Sequence, residues 1–141
     1  MGVTVARTRT VVWTMPVSSL DCRDGPILSH RRDRVTLSYD FLGPAGEYYW
    51  ESVLFLGVAA LAFTPHGACT WEQISASDRL IEVEGSAWHN TVRGMASNSA
   101  ELRHLRIAFA TTGCYDLLAI DFVPPPQGPP RMTASTLTTW A

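Results

Sequence analysis

Apolar and polar residues alternate with a period of two along several stretches of this chain, the pattern of strands with one buried face. The pattern is densest over 102–123. Leu105, Ile107 and Phe109 alternate with Arg106, Ala108 and Ala110; Thr112-Gly113 supplies a tight turn; and 115–122 returns with apolar residues on both faces. A two-residue loop there predicts Ile107 opposite Leu118, Leu105 opposite Ile120 and His104 opposite Asp121. A strand that is apolar on both faces belongs inside a sheet with a layer on each side. Pro124-Pro125-Pro126 ends it, because proline cannot donate to a ladder.

Val35, Leu37, Tyr39 and Phe41 share one face of a strand over 35–41, and Thr36, Ser38 and Asp40 share the other. Gly43-Pro44-Ala45-Gly46 makes a turn into a second strand over about 47–56. A four-residue loop pairs Phe41 with Tyr48, Tyr39 with Trp50 and Val35 with Leu54. A five-residue loop brings Glu47 and Glu51 to the buried face, so the pattern favours the shorter loop. Gly57 interrupts the run, and 58–63 reads as a third short strand. A buried helix over 53–63 is the alternative, disfavoured by Gly57 and its β-branched and aromatic neighbours. Residues 64–78 are irregular. Residues 79–84 read as a strand, with a helix over about 71–83 as the alternative. Ser86 is placed to cap a helix over 87–96, with Trp88, Val92 and Met95 on one face. A short edge strand near 10–15 stops at Pro16.

These elements predict an α+β fold: a mostly antiparallel sheet of five or six strands with one clear helix packed on one face. The chain divides into a loosely structured basic segment at 1–34, a globular α+β domain at 35–123, and a Pro-rich disordered tail at 124–141.

Composition narrows the class. Apolar content of 46% and charged content of 17% describe a soluble globular domain. No apolar run reaches the length of a membrane span, and the N-terminus lacks a secretory signal's apolar core. Cys22, Cys69 and Cys114 are odd in number and widely spaced, which reads as reduced thiols in the cytoplasm. Charge is split along the chain. Residues 1–34 hold six arginines and three acids, whereas 35–123 hold four arginines and ten acids. An acidic domain repels phosphate, which argues against nucleic acid as the partner. The cluster His30-Arg31-Arg32 with Arg34 reads as a solvated loop. Tyr48, Tyr49 and Trp50 read as core and sheet-face aromatics rather than a stacking platform.

Candidate chemistry is sparse. His66-x-x-Cys69 has the spacing of metal ligands, and His104 and Cys114 add two more side chains of that kind. In the predicted register, however, Cys114 lies at the turn and His104 roughly 23 Å down the strand, at ~3.3 Å per residue. One ion cannot use both, nor can they act as nucleophile and base. No metal ligand set, catalytic set or cofactor is assigned. Glu82 with Glu84, and His104 with Asp121, read as solvated or cross-strand polar pairs.

The strings WESVLFLGVAALAF, DRLIEVEGSAW and LRHLRIAFATTGCYDLLAIDF together resemble a group of small uncharacterised bacterial α+β proteins. More loosely, they resemble the immunity proteins that neutralise toxins of neighbouring bacteria. The resemblance covers about 35–123. It implies a cytoplasmic binding protein. The charge split across 35–123 adds a basic protein partner, such as a toxin domain, bound without chemistry. The resemblance carries no catalytic motif and transfers no site residues. From the residues themselves, the partner-binding candidates are the acids Glu72, Asp78, Glu82 and Glu84 and the aromatic anchors Trp71 and Tyr49. The alternative is a small hydrolase-like enzyme using His66, Cys69 or His104.

Overall fold

Among the described residues, the period-two stretches fold into nine strands and two short helices. In chain order these are β1 (Arg9–Thr14), β2 (Ile27–Arg31), β3 (Arg34–Leu42), β4 (Tyr48–Leu56), β5 (Ala60–Pro65), α1 (Trp71–Ile74), β6 (Arg79–Val83), α2 (Ala87–Arg93), β7 (Arg103–Phe109), β8 (Gly113–Ala119) and β9 (Asp121–Val123). The computed structural model describes residues 9–93 and 101–126. Residues 1–8, the connection at 94–100 and the tail from 127, including Met95 and Trp140, lie outside the described residues.

Five strands form one sheet in the order β1-β6-β7-β8-β5, and four form another, β2-β3-β4-β9. Neighbouring strands in both sheets are antiparallel. The sheets pack face to face. Val35, Leu37, Tyr39 and Phe41 of β3, with Val53 and Phe55 of β4, share one buried cluster with Leu80, Leu105, Ile107, Phe109, Tyr115 and Leu117 of the five-stranded sheet. The Tyr39 ring bridges the layers, 6.4 Å from Phe109 and 6.3 Å from Trp13 between centroids. β8 lies between β7 and β5, and all seven of its residues are buried. That is the doubly covered strand its composition predicts.

The mostly antiparallel character is therefore as expected, but the α+β description needs correcting. The fold is mainly β, with two sheets in place of one sheet of five or six strands. The one clear helix is replaced by a single turn at 71–74 and a seven-residue helix at 87–93. Residues 9–31, most of the stretch read as loosely structured, contribute β1 and β2. β1 is the edge strand expected near 10–15. After Ile120 the chain leaves the five-stranded sheet, so β9 belongs to the other layer.

Two registers also differ from expectation. β3 and β4 pair as Phe41 with Tyr49, Tyr39 with Glu51 and Val35 with Phe55. This register turns Val53 and Phe55, both fully buried, toward the core. Its cost is Glu51, which ends up half-buried beneath Tyr39. The Tyr39 hydroxyl donates to Glu51 Oε2 at 3.3 Å. Burial pushes the Glu51 carboxyl up, and the tyrosine bond only partly offsets it. In the β7–β8 hairpin the loop is 110–112, so Ile107 faces Tyr115, Arg106 faces Asp116 and His104 faces Leu118. Gly113 explains the shift. Its φ is +142°, and a Cβ there would sit 2.2 Å from the Thr64 carbonyl oxygen, so glycine is required where β8 starts beside β5.

Ile107 is fully buried in the inter-sheet core and Leu118 on the outer face of β8. Ile107→Ala and Leu118→Ala should each cost about 2–5 kcal/mol in urea unfolding. Losses below about 0.5 kcal/mol at both positions, the range of surface changes, would take the hairpin out of the core.

Candidate functional site

The register of β7 and β8 collects the molecule's densest polar chemistry on the outer face of the five-stranded sheet. His104, Arg106 and Ala108 alternate along β7 and face Leu118, Asp116 and Cys114 of β8. Ile81 and Val83 flank them from β6. Asp116 stands at the centre and is 6% exposed. Its Oδ1 accepts from His104 Nε2 at 2.7 Å and from Arg106 Nε at 2.7 Å. Its Oδ2 accepts from Gln73 Nε2 at 3.3 Å, with the Cys114 thiol at 3.7 Å.

Local sequence explains how the flanking groups arrive. Thr70 and Gln73 form a capping box that fixes α1, and the Gln73 amide continues to Thr64 and Asp116. Ser86 caps α2, accepting the His89 N–H at 3.0 Å, and lies 2.9 Å from His104 Nδ1. A ring protonated at Nε2 satisfies every group: it donates to Asp116 and accepts from the Ser86 hydroxyl. Trp88 closes over the imidazole edge-on, with ring centroids 5.3 Å apart. Among the described residues, Arg106 Nη1 and His89 Nε2 are buried without a hydrogen-bond partner.

Burial alone would raise the Asp116 carboxyl. The bonds from His104 and Arg106, with the arginine's charge, outweigh it and hold the group below its usual value. The Cys114 thiol is pushed up, first by burial and then by the Asp116 charge. Burial and Asp40 push Cys22 up to about 11. All three cysteines are free, and these two are held as thiols, not as thiolate nucleophiles.

Ser86, His104 and Asp116 are thus hydrogen-bonded in series, but reversed from a hydrolytic triad, in which the carboxylate holds Nδ1 and the nucleophile meets Nε2. Each is less than 7% exposed. The arrangement works as a closed strut: it neutralises a buried charge and anchors both helices to the sheet. The expected pairing of His104 with Asp121 does not form: His104 faces Leu118, and Asp121 pairs with Arg103 at 3.3 Å. His104 and Cys114 both reach Asp116, so the separation inferred from the expected hairpin was too large, although they do not bond one another.

The remaining candidates are dispersed. His66 is exposed on a 3-10 turn, and the Cys69 thiol donates to the Thr64 and Pro65 carbonyls at 3.4 Å. Trp71 and Glu72 share α1, where Trp71 is 85% exposed. Asp78, with φ +61°, accepts the Ser19 N–H and so fixes the start of β6. Glu82 is ion-paired with Arg103 at 2.6 Å, and Glu84 is exposed just beyond β6. Tyr49 is half-buried against Phe41 on the other sheet. The structure brings Trp71 together with Glu72, and Glu82 with Glu84; it leaves Asp78 and Tyr49 apart from both pairs. Arg106, Asp116 and Gln73 were not singled out from sequence. The available signal was Asp116 within an otherwise apolar strand, which demands a buried partner on a neighbouring strand.

Comparison with family models, curated proteins and solved structures finds no match to this chain.

Asp116→Asn leaves Arg106 buried without its counter-charge and should cost roughly 3–5 kcal/mol at neutral pH. Because the folded carboxyl lies below its ordinary value of 3.8, its contribution is present above about pH 4 and fades as pH falls through the folded value. Urea titrations at pH 7 and near pH 3 should therefore show the wild type and variant converging in acid. A gap that stays constant would remove the charge from the explanation.

Proposed function

We propose that the protein is a non-enzymatic, immunity-like binding protein that docks a basic protein partner, such as a toxin domain, through one end of its sandwich. One observation carries this reading. Where β6 ends and β7 begins, Glu82, Glu84, Glu101 and Asp121 are grouped by register and sequence around Arg103, which pairs with Glu82 and Asp121. Glu84 and Glu101 are exposed, so the rim keeps an excess of negative charge. Such a rim steers a cationic partner and speeds encounter, and the effect weakens as salt rises. Apart from this rim, Trp71 is exposed on α1, a turn rigidified by its capping box, and offers a separate aromatic anchor whose ordering cost is small.

A second reading, a small hydrolase-like enzyme, draws on the bonded series Ser86–His104–Asp116, with the two ring nitrogens in exchanged roles relative to a hydrolytic triad. Labelling of Ser86 by a fluorophosphonate, lost in His104→Ala, would support it.

The docking reading is tested by affinity capture with the purified chain, alongside the product of any adjacent toxin gene, at low and high salt. A basic partner should bind at low salt, weaken at high salt, be lost in Glu84→Arg/Glu101→Arg, and bind more weakly to Trp71→Ala than to the wild type. A partner that is acidic, or that binds the charge-reversed variant equally well, would defeat the mechanism.

A further inference from the structure

β2 and β3 are joined by the two-residue loop Arg32-Asp33, closed by the cross-strand pair Arg31 and Arg34. Arg32 has φ +57°. Glycine normally takes such a position, since an L side chain in the left-handed region crowds its own backbone. A side chain kept there against that crowding points to a use for it. The loop is also pinned, because the Asp33 carbonyl accepts the Val58 N–H at 2.8 Å.

The charges make the same point independently. Like charges directly opposite on paired strands repel, and Arg31 faces Arg34 with Arg32 beside them. All three are exposed, and among the described residues none forms an ion pair, even with Asp33. Together with Asp33 they line a half-open cavity of about 400 Å³. Three guanidinium groups around one cavity are relieved by an anion of matching charge.

We propose that this turn is a binding site for an oligophosphate, held by Arg31, Arg32 and Arg34. Each guanidinium offers a planar fork that can grip two phosphate oxygens. A single carboxylate would neutralise only one of the three, whereas linked phosphates put several negative charges into the volume of a small-ligand site. Asp33 opposes the ligand, but among the described residues the lining keeps an excess of positive charge. Asp121 is separated from β3 by β4, about 10 Å away at ~4.8 Å per strand, near the screening length at moderate salt. The site does not depend on the docking reading above.

Calorimetric titration of the full chain with sodium tripolyphosphate at ~50 mM salt should show saturable one-to-one binding that weakens toward ~200 mM. Arg32→Gly should weaken it at least about tenfold, the scale of one charge-assisted contact. The melting temperature of that variant should be unchanged or higher, since glycine adopts the loop backbone freely. Arg31→Ser/Arg34→Ser should abolish binding. A short oligouridylate and a short polyglutamate separate the sources. Tripolyphosphate bound as well as the RNA assigns a free oligophosphate; tighter RNA binding assigns a polymer backbone. Either supports phosphate recognition. No binding at ~50 mM salt, equal binding by both arginine variants, or polyglutamate bound as tightly as tripolyphosphate overturns it.

Discussion

A carboxylate in the middle of a strand buried on both faces governs how the outer half of this molecule is built. Asp116 sits in β8 with apolar Tyr115 and Leu117 turned to the inter-sheet core. An unpaired charge at such a depth costs several kcal/mol, so donors must be brought to it. They come from β7 as His104 and Arg106, and from α1 as Gln73. Through His104 the chain of bonds extends to Ser86 at the start of α2. One acid thus ties a central strand, its neighbour and both short helices into a single arrangement. Neither helix is long enough to be stable alone. Both are held by caps and by this network.

Asp40 does comparable work on the other sheet. It is fully buried, and its carboxylate accepts the N–H groups of Arg23, Asp24 and Gly25 at 2.8–3.2 Å. The loop lies so close to β3 that a Cβ on Gly25 would fall 2.9 Å from the Tyr39 Cα. Backbone donors that would otherwise be orphaned are satisfied by a charge that would otherwise be stranded. This exchange fastens the segment before β2 to the sandwich, and it is why a polar, turn-rich stretch belongs to the fold.

What was legible in the sequence was alternation within single strands: β1, the faces of β3, the double apolar character of β8, β6 over its own length, and Ser86 as a cap. What was not legible was the relation between strands. The expected β3–β4 register keeps Glu51 out of the core, a sound rule that the structure breaks by carrying Glu51 inward on the same face as Val53 and Phe55. The tyrosine hydroxyl that makes Glu51 tolerable is contributed by the facing strand. The β7–β8 register depended on the backbone of β5 pressing on Gly113, a contact distant in sequence. Once that register moved, Arg106 met Asp116 and the buried network followed. The candidate site was hidden for the same reason, because its members come from four elements whose juxtaposition no local pattern encodes.

The same packing decides where recognition can occur. The inner faces of both sheets are spent on the shared core, and the outer face of the five-stranded sheet is occupied by the Asp116 network under α1 and α2. The outer face of the four-stranded sheet, the turns and the strand ends remain. At one end, β6 finishes, β7 starts, β8 crosses to β9 through Ile120, and the β2–β3 turn projects beside Val58. Rigid strands deliver both the carboxylates around Arg103 and the three unpaired arginines to this end, so neither group needs much ordering on binding. The two are separated by about the screening length, close enough to oppose one another weakly at low salt. An anion seated on the arginine turn cancels the positive field that the acidic rim feels from its neighbour. An anion at the proposed arginine site would thereby strengthen the attraction of the proposed acidic rim for a cationic partner, a sign set by the opposite charges sharing one end of the sandwich.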